Sequence, residues 1–387
     1  MARKGIIVIT TNYRLGIFGF FAHPELTKES PHHASGNYGF LDQYAALKWV
    51  KANIAAFGGD PNRVTIAGES AGSISVSALM CSPLSKNLFA GAIGSSGSLM
   101  GALSPIPLAE GESNGKKAAK DLNTETLASL RAIPAEKLLQ AKGRFSTVTD
   151  GYFLPKAPVD IFASGQQALV PTMIGWNSQE QNYSSLLRGK EATVANFTEA
   201  VKTTFGDKAD QIVKLYHVTD DASVTAAATD LASDTFIAFS TWKWTDMQKK
   251  TGGKSVYRYH YCLPRPESVA DMIKRTTGAG KDVGKTPRQT GAVHSSDIEY
   301  AMGNLSTNRV YNWQADDYAV SEIFQSYYLN FVKTGNPNGL GVPQWPTING
   351  KAVPPVLQID VDTHVTTNPD LEKRYEFLNS FYFPPKK

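Results

Sequence analysis

The stretch RVTIAGESAGSISVSALM, residues 63–80, is the part of the chain that most directly predicts its fold. RVTIAG is rich in β-branched residues and predicts a strand, and AGSISVSALM predicts a helix. Ser70 lies between them in GESAG (68–72). A strand that ends at a serine, followed directly by a helix, exposes the hydroxyl in a tight turn that small flanking residues permit. We therefore interpret Ser70 as a candidate nucleophile, with a helix start that offers backbone N–H groups to an oxyanion.

A second copy of the Gly-x-Ser-x-Gly pattern, GESNG at 111–115, contains Ser113. The pattern is weakly specific by itself, so its context decides. SPIPLAE before this copy is broken by prolines and lacks strand character, and NGKKAAKDL after the serine predicts an ordinary exposed helix. We interpret Ser113 as a helix-start or surface residue.

Strand and helix signals alternate on both sides of the first stretch. DQYAALKWVKANIAAF (42–57) has apolar residues at helical spacing. Further strands are predicted at GIIVITTNY (5–13, with the strand from residue 5 to residue 10), LFAGAIGSS (88–96), PTMIGWN (171–177) and SVYRYHY (255–261). Alternation of this kind is typical of the α/β class, with a mostly parallel central sheet covered by helices on both faces.

The rest of the chain is mostly helical between residues 109 and 250, with a mainly helical region at about 184–250. Residues 263–290 are rich in Pro, Gly, Lys and Arg and predict a loop. DYAVSEIFQSYYLNFVKTG (317–335) predicts an amphipathic helix that ends at a glycine.

Length, charge and cysteine content exclude some classes of function but do not identify one. The 387 residues suffice for one large domain or two ordinary ones, and the net charge of +4 is too small and too evenly spread to indicate a nucleic acid or an anionic membrane as a partner. No apolar run approaches the roughly 20 residues of a membrane span. Two cysteines allow at most one disulfide, so the compartment stays undetermined.

A nucleophilic serine needs a histidine base and an acid that orients it, which in this architecture follow in the order Ser, Asp/Glu, His. His294 lies in QTGAVHSSDIEY, on a loop after the last predicted strand, with small neighbours that let a ring enter a cleft. Glu180 follows the strand PTMIGW, at the end of a parallel strand where sites gather. A lone loop histidine is usually a surface residue. Position alone does not decide whether Glu180 is the orienting acid or a surface residue. The other histidines precede Ser70 (His23, His32, His33) or lie in a helical stretch (His217), in a predicted strand (His260) or in a polar loop (His364).

At these residues the chain resembles the type-B carboxylesterase/lipase family, which includes bacterial para-nitrobenzyl esterases and the cholinesterases. The matching stretches run in the family's order nearly from end to end: NYRLG (12–16), GNYGFLDQYAALKWVKANIAAFGGDPNRVTIAGESAG (36–72), SSG (95–97), DGYFLP (150–155), GWNSQE (175–180), GAVHSSDIEYAMGNL (291–305), FVKTGNPNG (331–339) and WP (345–346).

The resemblance implies a single α/β-hydrolase domain over residues 1–387 and hydrolysis of small carboxylic esters without metal or cofactor. It assigns the nucleophile to Ser70, the acid to Glu180 and the base to His294. It also implies an oxyanion-hole N–H at Ala71 and supporting roles for Glu69 and Ser96. Oligomeric state and natural ester are left undetermined.

The sequence departs from the family pattern at two places that bear on the expected ester hydrolysis. GESAGG of the family is GESAGS here, with Ser73 in the last place. The family's His-Gly-Gly-Gly-type loop, which donates further oxyanion-hole N–H groups and precedes NYRLG, is not found in the sequence. We therefore expect an N-terminally incomplete version of the fold with a gap inside its sheet, and a non-catalytic binding or adhesion protein and an inactive fragment remain as alternatives.

The helical region at about 184–250, with the loop at 263–290, is expected to wall the substrate gorge. We interpret its large side chains Phe236, Trp242 and Trp244 as core residues rather than substrate contacts.

Overall fold

The computed structural model describes residues 1–124, 126–277 and 290–384. These residues form eight strands: β1 (Thr65–Glu69), β2 (Gly91–Ser95), β3 (Ile106–Pro107), β4 (Val148–Thr149), β5 (Thr172–Asn177), β6 (Val256–Tyr261), β7 (Val356–Ile359) and β8 (His364–Thr366). Six of them build the central sheet in the order β1-β2-β5-β6-β7-β8, and β3 and β4 form a separate parallel pair.

Neighbouring strands of the central sheet are parallel from β1 to β7, and only β8 runs antiparallel at the edge. In parallel strands the carboxyl ends lie at one edge of the sheet, where sites of open α/β sheets form. The ends of β1, β2 and β5 therefore place Ser70, Ser96 and the segment leading to Glu180 close together.

The helices are α1 (Gly16–Phe20), α2 (Pro24–Glu29), α3 (Tyr38–Asn53), α4 (Ala71–Cys81), α5 (Leu108–Asp121), α6 (Leu127–Arg131), α7 (Ala135–Leu138), α8 (Pro158–Ala163), α9 (Tyr183–Leu187), α10 (Val194–Phe205), α11 (Ala209–Leu215), α12 (Asp221–Ser233), α13 (Phe239–Thr251), α14 (Val269–Thr277), α15 (Ile298–Met302), α16 (Ala315–Thr334) and α17 (Pro369–Tyr382). A π-helical turn, Asp234–Ala238, joins α12 to α13 without a break. Short 3₁₀ helices lie at Ala2–Lys4, Ile54–Phe57, Gly206–Lys208 and Leu305–Thr307.

Both faces of the sheet are covered by helices. Ala92 and Ile93 are neighbours in β2, so their side chains point to opposite faces. Ala92 packs in a buried cluster with Val76 of α4 and Trp244 of α13. Ile93 packs in another buried cluster with Phe324 of α16. The predicted mostly parallel sheet with helices on both faces is confirmed.

The strand predicted at residues 5–10 is wrong. Among the described residues β1 pairs only with β2, and a cavity of about 590 Å³ lies between the outer edge of β1 and residues 5–11. Ile7, Val8 and Ile9 are about half exposed. The segment has the β-branched composition of a strand, but it pairs with none of the described strands and so forms no ladder.

Other predictions met mixed outcomes. The helix at 317–335 is confirmed as α16, which ends at Gly335 in the left-handed conformation. The last predicted strand is not the last observed, because β7 and β8 follow it, and His364 starts β8 instead of lying in a loop. The loop predicted at 263–290 contains α14, and residues 278–289 of that prediction lie outside the described residues. In the described part of the chain, no helix has the length and apolar character needed to cross a membrane.

Candidate active site

Ser70 lies in the turn between β1, which ends at Glu69, and α4, which begins at Ala71. Its backbone has φ 53° and ψ −116°, a sparsely populated conformation for a residue with a side chain. Its N–H donates to the carbonyl of Ser95 in β2 at 2.9 Å, which holds the turn against the sheet. A Cβ atom on Gly68 would lie 2.2 Å from the carbonyl carbon of Gly72. The strained turn therefore requires glycine before the serine, as the sequence pattern predicts.

His294 joins Ser70 to Glu180 through two hydrogen-bonding contacts. Its Nε2 lies 2.8 Å from Oγ of Ser70, and its Nδ1 lies 2.6 Å from Oε2 of Glu180. The Glu180 side chain is fully buried, while about a quarter of the His294 side chain is exposed. A carboxylate on Nδ1 selects the tautomer with a proton there, which leaves Nε2 free to accept the serine proton.

The loops that carry Glu180 and His294 are held together by one bond between their backbones and one from backbone to side chain. Gln179 N–H donates to the carbonyl of Ala292 at 2.8 Å, and Ala292 N–H donates to Oγ of Ser178 at 2.9 Å. These bonds sit immediately beside Glu180 on one loop and two residues before His294 on the other. The contact at Nδ1 is thus fixed by main-chain geometry as well as by the side chains.

The second oxygen of Glu180 has its own donors. Oε1 accepts from Oγ of Ser96 at 2.6 Å and from the N–H of Asn177 at 2.7 Å. Ser96 has φ 56°, and its N–H donates to the carbonyl of Gly175 at 2.9 Å, so its hydroxyl is aimed from a rigid turn. A buried carboxylate needs such donors to offset lost hydration.

Glu69 supplies a further carboxylate beside the imidazole. Its Oε1 accepts from Oγ of Ser295 at 2.6 Å and lies 3.6 Å from Nε2 of His294. Burial raises the pKa of Glu69 to about 7, although the hydrogen bond from Ser295 acts in the opposite direction. Burial also lowers the pKa of His294, but its hydrogen bond to Glu180 and nearby carboxylates outweigh that effect, so its pKa lies above the ordinary value.

A pH dependence of stability follows from Glu69. Its folded-state pKa of about 7 lies above its ordinary value of 4.5, so between these values the folded chain binds more protons than the unfolded chain. Stability from this group is therefore present below pH 4.5 and is lost as pH rises towards 7. Glu69→Gln removes this pH-dependent loss of stability. We therefore expect the melting temperature of the variant, relative to that of the parent, to be higher at pH 8 than at pH 5. Thermal unfolding at pH 5 and at pH 8 measures the two melting temperatures, and Glu136→Gln on the surface is the control. A difference between variant and parent that is the same at both pH values contradicts the prediction.

Ala71 is the first residue of α4, so its N–H has no partner within the helix. Ser73, the departure from the family pattern, is fully buried and donates from its hydroxyl to the carbonyl of Gly97 at 2.6 Å. This bond ties α4 to the turn that carries Ser96.

The other copy of the serine pattern is remote from this arrangement. Ser113 is exposed on α5, which begins earlier than predicted, at Leu108. The remaining histidines make no described hydrogen bond to Ser70.

Sequence reasoning missed two residues near the triad candidates. Asp297 is buried and accepts from Oγ of Ser95 and from Nδ2 of Asn177. Phe236, interpreted as core, is instead 37% exposed with its ring against His294, whereas Trp242 and Trp244 are buried as predicted. An acidic residue three places after His294 was the available signal for Asp297; apolar periodicity gives none that separates Phe236 from its buried neighbours.

The model of the Carboxylesterase family matches residues 1–378. The chain belongs to the carboxylesterase family.

Individual relatives agree with that membership. The chain is 33% identical to fumonisin B1 esterase of Sphingopyxis macrogoltabida, covering 89% of this chain and 62% of that protein. It is 31% identical to liver carboxylesterase 1 of Oryctolagus cuniculus, covering 90% and 64%. A solved PNB esterase superposes with a TM-score of 0.74 at 26% identity, over 94% of this chain and 71% of that one. The α/β-hydrolase fold is thereby confirmed, and the chain spans about six tenths of the length of these curated relatives.

Proposed function

We propose that the chain is a serine carboxylesterase that hydrolyses carboxylic esters through Ser70, His294 and Glu180. The observation that carries the proposal is the continuous contact from Ser70 Oγ to His294 Nε2, at 2.8 Å, and from His294 Nδ1 to Glu180, at 2.6 Å. Nucleophile and base within hydrogen-bonding reach, with a third group orienting the base, are what acyl transfer by a serine requires.

The proposed reaction has two halves. Ser70 Oγ attacks the ester carbonyl while His294 Nε2 takes its proton, and the resulting imidazolium is stabilised by Glu180 on Nδ1. The tetrahedral oxyanion receives the N–H of Ala71. His294 then gives its proton to the departing alcohol, which leaves an acyl group on Ser70. A water molecule attacks the acyl carbon while His294 Nε2 takes one of its protons. The second tetrahedral intermediate then collapses, His294 gives that proton to Ser70 Oγ, and the carboxylic acid is released.

The supporting groups act through the triad candidates. Ser96 and Asn177 both donate to Oε1 of Glu180. These bonds hold the carboxylate so that its Oε2 contacts Nδ1 of His294. Glu69 lies on the Nε2 side, where its charge favours the imidazolium that forms as Ser70 loses its proton.

The substrate proposal stays at the class of carboxylic esters. One relative is named for fumonisin B1, and the others compared are named as liver carboxylesterase and PNB esterase. Those names do not share one substrate, and identities of 26–33% do not choose among them.

Covalent labelling tests the nucleophile directly. We expect a fluorophosphonate to phosphonylate the purified chain once, on the peptide that contains Ser70 and not on the peptide that contains Ser113. Of these two serines, Ser70 is the one with a histidine in contact among the described residues. Mass spectrometry after proteolysis locates the label, and p-nitrophenyl acetate hydrolysis measures turnover. Each missing oxyanion donor costs about 10²–10³ in turnover, so labelling with slow turnover would support the nucleophile and indicate an oxyanion site with too few donors. A folded chain that stays unlabelled contradicts the proposal.

A further inference from the structure

The helical rod formed by α12, the π-helical turn and α13 runs past the candidate site. The π-helical turn, Asp234–Ala238, interrupts the α-helical repeat at the middle of this rod. Turns of this kind place side chains where a regular helix would not and occur frequently at functional sites. Here the residue at the centre of the turn is Phe236.

The rod is fixed to the candidate-site loops just before and just after the turn. Gln181, which follows Glu180, donates its N–H to Oγ of Ser233 at 3.1 Å. Ser98, on the loop that follows β2, donates its hydroxyl to the carbonyl of Ser240 at 2.6 Å. The turn is therefore held in a set position relative to the site.

The far side of the turn is anchored by a buried carboxylate. Asp234 is 3% exposed and accepts from the hydroxyls of Tyr216 at 2.8 Å and Tyr375 at 3.0 Å. The guanidinium of Arg374 on α17 lies 3.1 Å from the same carboxylate. Because burying an unpaired charge is costly, these three partners resist any rotation of the turn that would withdraw Asp234.

Phe236 meets His294 at the open side of the site. The two ring centroids are 5.2 Å apart and the ring planes make an angle of 78°. Near-perpendicular aromatic rings at this separation attract each other beyond their area of contact. The phenyl ring also occupies space beside the imidazole that water would otherwise fill.

We propose that Phe236 is a positioning residue, presented by the π-helical turn, that holds the His294 ring in its reactive orientation and shields it from water. The functional part of this inference rests on the proposed esterase reaction. The contact itself is independent of that reaction, so it can be tested on the folded chain without substrate.

The measurement is ¹³C-detected NMR of histidine Cε1–H groups in the full chain across pH, with His294→Gln used to identify the His294 signal. Among the described residues, the charged groups that face His294 are Glu180, Glu69 and Asp297, and all three are kept in every variant. Burial opposes protonation of His294, so Phe236→Ala is expected to raise its pKa by admitting water. The Nδ1 proton should also exchange faster. Phe236→Leu, which keeps apolar bulk without a ring, should show a smaller change.

Kinetics give the second readout. For p-nitrophenyl acetate we expect Phe236→Ala to lower kcat by about 3- to 10-fold, the effect of losing one aromatic pair, with little change in KM because the acetyl group is small. Phe57→Ala, which removes an exposed phenylalanine whose described ring contact is with Trp49, should match the parent in both experiments.

The outcomes separate the two proposals. A His294 signal with unchanged shift, pKa and proton exchange in Phe236→Ala overturns the positioning role, whatever the enzyme activity. Changed His294 signals in a chain that shows no Ser70-dependent hydrolysis support the positioning role and contradict the proposed function. Changed signals together with a lower kcat support both.

Discussion

Ser70→Ala is expected to lower kcat for p-nitrophenyl acetate by about 10⁵-fold, because removing the serine or the histidine of a catalytic triad abolishes the covalent route as a unit. Ser70 is the serine whose hydroxyl contacts His294. The remaining activity would come from oxyanion and binding contacts alone. Initial rates at saturating ester, corrected for spontaneous hydrolysis, measure the effect.

Ser113→Ala is the matched control for that experiment, since it removes a hydroxyl from the same Gly-x-Ser-x-Gly pattern. Ser113 is exposed on α5, so we expect kcat and the melting temperature to stay at the parent values. Equal losses in the two variants, or a Ser70→Ala variant within tenfold of the parent, would show that Ser70 is not the nucleophile.

Glu180→Gln is expected to lower kcat by about 10³–10⁴-fold with little change in KM. A glutamine has nearly the shape of glutamate, but its amide group can donate to Nδ1 of His294. The imidazole then carries its proton on Nε2, which faces Ser70 and can no longer accept from it. Kinetics between pH 6 and pH 9 should show the loss throughout, because raising the pH does not restore the tautomer.

The control for this substitution is Glu199→Gln, which changes an exposed glutamate on α10 that pairs with Lys190. Exposed ion pairs contribute little, so neither kcat nor stability should change measurably. A Glu180→Gln variant that keeps more than a tenth of the parent kcat, with an unchanged melting temperature, would remove Glu180 from the proposed triad.

The turn that carries Ser70 is the part of the candidate site that local sequence determines. Strand, glycine, serine and helix are contiguous in residues 63–80, and each requirement of the turn is met within a few positions. For the same reason Ser113 could be set aside: its flanking residues do not form the strand that the turn needs. Helix α16 was likewise predictable, because its apolar spacing and final glycine are local signals.

The partners of Ser70 depend on tertiary structure. His294 lies 224 residues from Ser70 and 114 from Glu180 along the chain, and no local pattern measures such a distance. Residue type and position alone do not distinguish Glu180 as an orienting acid from a surface glutamate; the family resemblance does. The parallel order of β1, β2 and β5, with the hydrogen bond from Gln179 N–H to the Ala292 carbonyl, brings these side chains into contact.

Residues 5–10 and Phe236 show where sequence patterns mislead. The composition of residues 5–10 determines a preference for extended backbone, but a strand exists only when a neighbour completes its hydrogen bonds, and the cavity beside β1 leaves that edge unpaired. Phe236 has the hydrophobicity of a core residue, yet it lies in a π-helical turn with its ring against that of His294. Sequence by itself thus determined the local turn and the class of fold, because both depend on short-range periodicity and sterics. Tertiary packing alone decided which edges are paired and which side chains meet at the site.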